Sequence, residues 1–173
     1  MRTLVIAMMG CFLISACNDS KPTKVEDSQT TESVTNKRSL QETSGNLQAE
    51  IEYVYNFFQA MHYSSPAKSA EGWCANNSSW NYEDNGSRGY VVYTDDRDSY
   101  VRKVGMHDNY YTADFFSTPH ENVCQSLRNI FGEPSRTSTL HDGEYSEWNT
   151  DDGIKISVEK DGISSTISFA ISK

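Results

Sequence analysis

Residues 118–134 read TPHENVCQSLRNIFGEP. Pro119 stands where a first helical residue needs no N–H donor, and Thr118 with Glu121 has the spacing of a capping box. Val123, Leu127, Ile130 and Phe131 recur at spacings of three and four, one apolar stripe of a helix, with Cys124 on its flank. Gly132 supplies the left-handed stop, and Pro134 prevents the helix from resuming. The pattern then changes to period two. Residues 144–150 contain Trp148, and Asp151-Asp152-Gly153 makes a turn. Ile154, Ile156 and Val158 alternate with Lys155, Ser157 and Glu159. Asp161-Gly162 turns the chain again, and Ile163, Ser165, Ile167, Phe169 and Ile171 share one face of a last strand. A helix followed by half-apolar hairpin strands is the signature of an α+β fold. Its helices lie on one face of an antiparallel sheet whose other face is wet.

Upstream the same two periods return. Leu47, Ile51, Val54, Tyr55, Phe58 and Met61 form a helical stripe, with Asn46 as N-cap and an end near Tyr63, before Ser64-Ser65-Pro66. Residues 64–87 read as irregular. Strands are expected at residues 89–94, at 99–106 with Tyr100, Val104 and Met106 on one face, and at 110–116; the turns between them are Asp95-Asp96-Arg97-Asp98 and His107-Asp108-Asn109. The expected order is α-βββ-α-βββ, which suggests two copies of one unit although the residues do not repeat.

The remaining chain divides simply. Met1-Arg2 is followed by an apolar run over residues 3–14, too short to span a bilayer, which takes about 20 helical residues. It ends in Ile14-Ser15-Ala16-Cys17. This leader resembles that of bacterial lipoproteins, with Ile14 in place of the commoner Leu. The resemblance implies a signal peptide over residues 1–16, cleavage before Cys17, and acylation of the Cys17 thiol (palmitate among the chains), with the lipid bilayer as first partner. Asn18 rather than Asp after that cysteine points to the outer membrane, facing the periplasm. Residues 17–46 are polar, with isolated Val25, Val34 and Leu40, and read as a disordered tether with a reach of about 30 Å. Residues 47–173 form the single α+β domain.

Charge and cysteines narrow the classes. The chain carries 24 acidic and 15 basic residues, net −9, which argues against nucleic acid and makes a basic protein the charge-complementary partner. Four cysteines are present. Cys11 leaves with the leader and Cys17 takes lipid, so Cys74 and Cys124 are expected to pair as a disulfide, stabilising by about 4 kcal/mol through loop closure.

Catalytic motifs are missing. There is no Gly-x-Ser-x-Gly, His-Glu-x-x-His or phosphate loop, and His62, His107, His120 and His141 show no i, i+4 pair among themselves. No cofactor, metal or catalytic residue is expected, and the acidic turns read as ordinary hairpin turns. Cys74 in Glu71-Gly72-Trp73-Cys74, paired with a distant His107, is the one nucleophile hypothesis, a thiol-dependent peptidoglycan hydrolase. Trp73, Trp80, Tyr82, Tyr90 and Tyr93 crowd one region and are the candidate binding residues, since Tyr and Trp dominate interface hot spots; the alternative is that they fill the core or staple the long loop.

Residues 118–171, through the helix, Phe131-Gly132-Glu133-Pro134, the Trp148 strand and the Gly-turned hairpin, resemble two families. These are the small outer-membrane lipoproteins of the barrel-assembly machinery and the beta-lactamase inhibitory proteins. Both usually place two helices before each sheet, where this sequence shows one. The resemblance implies a protein-binding module rather than an enzyme. The expected function is a lipid-anchored, non-enzymatic envelope module. The alternatives are an inhibitor or immunity lipoprotein against a toxin or lytic enzyme, and the Cys74 hydrolase.

Overall fold

The computed structural model describes residue 40, residues 45–140 and residues 143–172. The leader, Cys17, most of the tether and His141 lie outside the described residues. Among those described, no helix is long and apolar enough to cross a membrane.

Among the described residues, besides a 3-10 turn at Gly86–Arg88, three α-helices and eight strands follow in the order α1 (Leu47–Met61), α2 (Pro66–Asn76), β1 (Asn81–Asp84), β2 (Tyr90–Tyr93), β3 (Val101–Met106), β4 (Tyr110–Phe115), α3 (His120–Phe131), β5 (Arg136–Leu140), β6 (Gly143–Asn149), β7 (Ile154–Asp161) and β8 (Ser164–Ile171). The class is α+β with helices packed on an antiparallel sheet, but the order α-βββ-α-βββ is corrected to αα-ββββ-α-ββββ. The sheet runs β1-β2-β3-β4-β8-β7-β6-β5. Each half is a four-strand meander, and the last strand of each lies at the centre, Ala113 pairing with Ile167.

The corrections have local causes. Residues 66–76, expected to be irregular, form α2 because Ser65 caps it, its Oγ accepting from the Lys68 N–H, and Pro66 opens it. Its buried face is short and only partly apolar, Ser69, Ala70 and Trp73. Strands β1 and β5 are the sheet edges. They carry little apolar pattern, which is how edge strands avoid templating foreign pairing. A register shift between Val101 and Lys103 turns Val101 inward and leaves Tyr100 exposed, correcting its place beside Val104 and Met106. The Thr118 capping box does not form. Pro119 is the N-cap residue without a side-chain cap, while the Thr118 hydroxyl donates to the Phe116 carbonyl. Asn46 does cap α1, accepting from the Ala49 N–H at 3.1 Å. Gly132 ends α3 at φ 80°.

One face of the sheet is buried under the helices. Val92, Val104, Ala113, Ile167 and Val158 form a continuous inward row by register, all fully buried. Met106, Tyr111, Phe169, Ile156 and Trp148 form the next. From α1, Phe58 packs edge-on against Tyr111 at 5.0 Å between ring centres. Trp148 donates its indole N–H to the Gly132 carbonyl, locking the end of α3 to β6. Each large buried side chain contributes roughly 1.5–3 kcal/mol. Leu40, which the sequence places in the tether, is also buried, and its N–H donates to Asn77 Oδ1 at 2.9 Å. Asn77 in turn donates to the Tyr53 hydroxyl and the Trp73 carbonyl. Ordered packing thus begins upstream of α1.

Candidate functional site

The five aromatic residues chosen from sequence do not make one surface. Trp73 is fully buried, edge-on to Tyr53, Phe57 and Trp80 at 5.0–5.3 Å between ring centres, and Trp80 is buried beside it. These two staple α2 to the core, the alternative that the sequence leaves open for them. Tyr82 and Tyr90 lie near each other at the β1 edge, 6.2 Å between ring centres, and the Tyr90 hydroxyl donates to Asp84 Oδ2. Tyr93 alone projects from the opposite face of the sheet, partly exposed.

That opposite face is the first candidate surface. Among the described residues, all three helices pack on the inner side. By register the outer side carries the row Val91, Gly105, Thr112, Ser168, Ser157, Glu147 and Arg136. Beside it run Tyr93, Lys103, Asp114, Thr166, Glu159, Tyr145 and Ser138. Small side chains fill the middle of the sheet, with tyrosines and long charged side chains toward the flanks. At Gly105 an added Cβ would lie 2.6 Å from Thr112 Oγ1, so glycine is what permits the close approach there. His107 and Tyr110 stack at 4.2 Å beside this row, where Tyr110 is exposed. The polar groups are tied down laterally. Thr166 donates to Asp114 at 2.8 Å, Lys155 pairs with Glu147 at 2.7 Å, and the Tyr145 hydroxyl donates to the same carboxylate at 2.6 Å. The Lys155 and Tyr145 bonds hold the Glu147 carboxyl below its ordinary value. A surface whose side chains are held by neighbours loses little entropy on docking.

The second candidate is a groove of about 480 Å³ between α3 and the β5–β6 hairpin. His120 and Cys124 stand one turn apart on α3, both buried, with Nε2 3.3 Å from Sγ. His120 Nδ1 contacts Ser165 Oγ on β8, also at 3.3 Å. Glu144 Oε2 approaches Nε2 at 3.9 Å from an exposed position. Burial pushes the Cys124 thiol up and the His120 imidazole down, so a neutral thiol faces a neutral imidazole at pH 7. Sequence reading tested His against His at i, i+4 and passed over this His-Cys pair at the same spacing.

Among the described residues Cys74 and Cys124 are both free thiols, and no bond joins them in this structure. The helices that carry them pack on different halves of the sheet, α2 against β1, β2 and β3, and α3 against β7 and β8. Cys74 lies in the last turn of α2, where the helix dipole opposes a thiolate, and burial raises it further. His107, its proposed base, stacks instead on Tyr110. Among the described residues no three His, Cys, Asp or Glu side chains are grouped to hold a metal ion.

No protein-family model matches this chain, and comparisons with curated proteins and with solved structures give no match either.

Proposed function

We propose that this chain is a lipid-anchored envelope protein whose folded domain binds a protein partner, without catalysis, through the uncovered face of its sheet. The observation that carries the reading is the division of the sheet. One face is sealed by the three described helices, and the other carries the small, half-buried Thr112, Ser157 and Ser168 with Tyr93, Tyr110 and Tyr145 around them, beside the buried Gly105 and Val91. Small residues let a partner's backbone come close, and tyrosine supplies contact area with a polar tip at little entropic cost. Charges on this face alternate in sign, Lys103, Lys155 and Arg136 among Asp114, Glu147 and Glu159. They specify a register rather than attract indiscriminately. The leader ending in Ile14-Ser15-Ala16-Cys17 supports the anchor and the outer-membrane, periplasm-facing address.

Two experiments test this. Metabolic labelling with palmitate is expected to mark the chain and to fail in Cys17→Ala; an unlabelled wild-type chain removes the anchor. A photo-crosslinking residue at Ser168 is expected to capture a discrete envelope protein that one at Gln125, exposed on α3, does not. Capture lost on Thr112→Arg, with folding intact, supports the face. Equal capture from both positions overturns it.

A further inference from the structure

The groove beside α3 has a thiol, a base and an orienting hydroxyl in contact, and the proposed binding face leaves them unused. We propose that Cys124 is an exchange thiol. It takes small zwitterionic disulfides, of which cystine is the simplest, into the groove as a mixed disulfide.

Three features carry this. First, Sγ and Nε2 are 3.3 Å apart, and Ser165 Oγ holds Nδ1. In the tautomer with hydrogen on Nδ1, the Nε2 lone pair faces the thiol. This is the arrangement of nucleophile, base and orienting group. Second, both side chains line the open groove although they are almost wholly covered, so the thiol meets what enters the groove rather than bulk solvent. Third, the rim carries charges of both signs, Glu121 and Glu144 with Arg128, whose Nε pairs with exposed Glu133 at 3.5 Å and whose terminal nitrogens lie outside that pair. A free amino acid disulfide presents an ammonium to the two glutamates and a carboxylate to the arginine.

The step balances without an outside oxidant. As Sγ bonds to the near sulfur of the incoming disulfide, its proton passes to His120 Nε2 and the original S–S bond breaks. The leaving sulfur takes the electron pair and then the proton from His120, departing as a thiol. One disulfide is consumed and one formed. Because burial holds Cys124 protonated, the base is required, and His120 sets the rate.

The test uses the full chain incubated with cystine, with each cysteine followed separately by peptide mass spectrometry. Cys124 is expected to be cysteinylated at least tenfold faster than the more exposed Cys74. His120→Gln is expected to slow Cys124 by roughly a hundredfold, the usual worth of a positioned general base. Arg128→Gln should slow cystine several-fold more than it slows the uncharged dithiodipyridine. If His120→Gln does not fold, Ser165→Ala carries the test, since losing the Nδ1 contact alone should slow exchange several-fold. The proposal is overturned if Cys124 reacts no faster than Cys74, if neither variant changes its rate, or if it reacts only as urea unfolds the chain. Equal treatment of the charged and uncharged disulfides overturns the assignment of a zwitterionic ligand.

Discussion

Gly89 and Gly132 offer a controlled comparison of backbone strain with and without collision. Gly89 precedes β2 at φ 84°, ψ −148°, and Gly132 ends α3 at φ 80°, ψ −162°. Both conformations are essentially glycine's own, so alanine at either site costs about 1–3 kcal/mol in strain. Their surroundings differ. A Cβ at Gly132 meets nothing within 4 Å, whereas at Gly89 it would lie 2.2 Å from the Met106 carbonyl oxygen and 3.2 Å from its carbon. Reaching an ordinary 3.4 Å contact requires β2 and β3 to part by about 1.2 Å at that point. The pairing of Tyr90 with Met106 is adjacent. Losing one or two of those backbone bonds adds about 0.5–1.5 kcal/mol each. Gly89→Ala should therefore cost about 1.5–6 kcal/mol, which is about 0.5–3 kcal/mol more than Gly132→Ala at about 1–3 kcal/mol. Urea unfolding followed by tryptophan fluorescence is suited to this, because Trp73, Trp80 and Trp148 are all buried. Equal midpoint shifts for the two variants, at unchanged slope, would refute the reasoning.

Other outcomes follow from single groups. Glu50 is fully buried on α1 and accepts from the Val101 N–H at 2.9 Å and the Ser99 hydroxyl at 3.1 Å. Burial raises its pKa above the ordinary 4.5 despite those bonds. The folded state then holds a proton the unfolded chain has released, so stability is lost as pH rises from about 4.5 through the folded pKa. Glu50→Gln should be more stable than wild type at pH 7, with the gap closing toward pH 4; parallel stability–pH curves would count against this. Asn77→Ala removes bonds to Leu40, Tyr53 and Trp73 and should cost about 2–4 kcal/mol, read in the same urea assay. Reductant should leave the melting temperature unchanged, and alkylation after unfolding without reductant should label both Cys74 and Cys124. A melting temperature lowered by reductant would restore the disulfide.

The elements legible in the sequence are those with a wide apolar stripe or a glycine-marked turn. α1, α3 and the hairpins around Gly153 and Gly162 fall where Ile51, Val54 and Phe58, or Ile154, Ile156 and Val158, repeat at their proper periods. α2 escapes because its buried side carries just two apolar residues, Ala70 and Trp73, with the polar Ser69, even though Ser65-Pro66 is a sound start signal. The edge strands escape because edges need few apolar residues. Trp73 and Trp80 were legible as a cluster but not as core, since an aromatic side chain serves either role until the helix covering it is known. The open face was legible as polar alternation. Its lateral ties and glycine approach depend on which strands are neighbours, and hairpin patterns do not reveal the β4–β8 join. The His120–Cys124 contact was readable from spacing alone, had the two residue types been considered together.

The β4–β8 join bears on how the molecule is made. Tyr110 pairs with Ala170 and Phe115 with Ser165, contacts separated by about 60 and about 50 residues of chain. As the chain folds, the first meander completes its local hairpins early. The free side of β4 stays unpaired until residues 164–171 dock beside it. Closure entropy for that long loop is lost before any of its contacts form, which slows the final step and lengthens the life of an intermediate with an open central strand. Aggregation on refolding should therefore be greatest for chains truncated between Phe131 and Ser164 and fall once β8 is included.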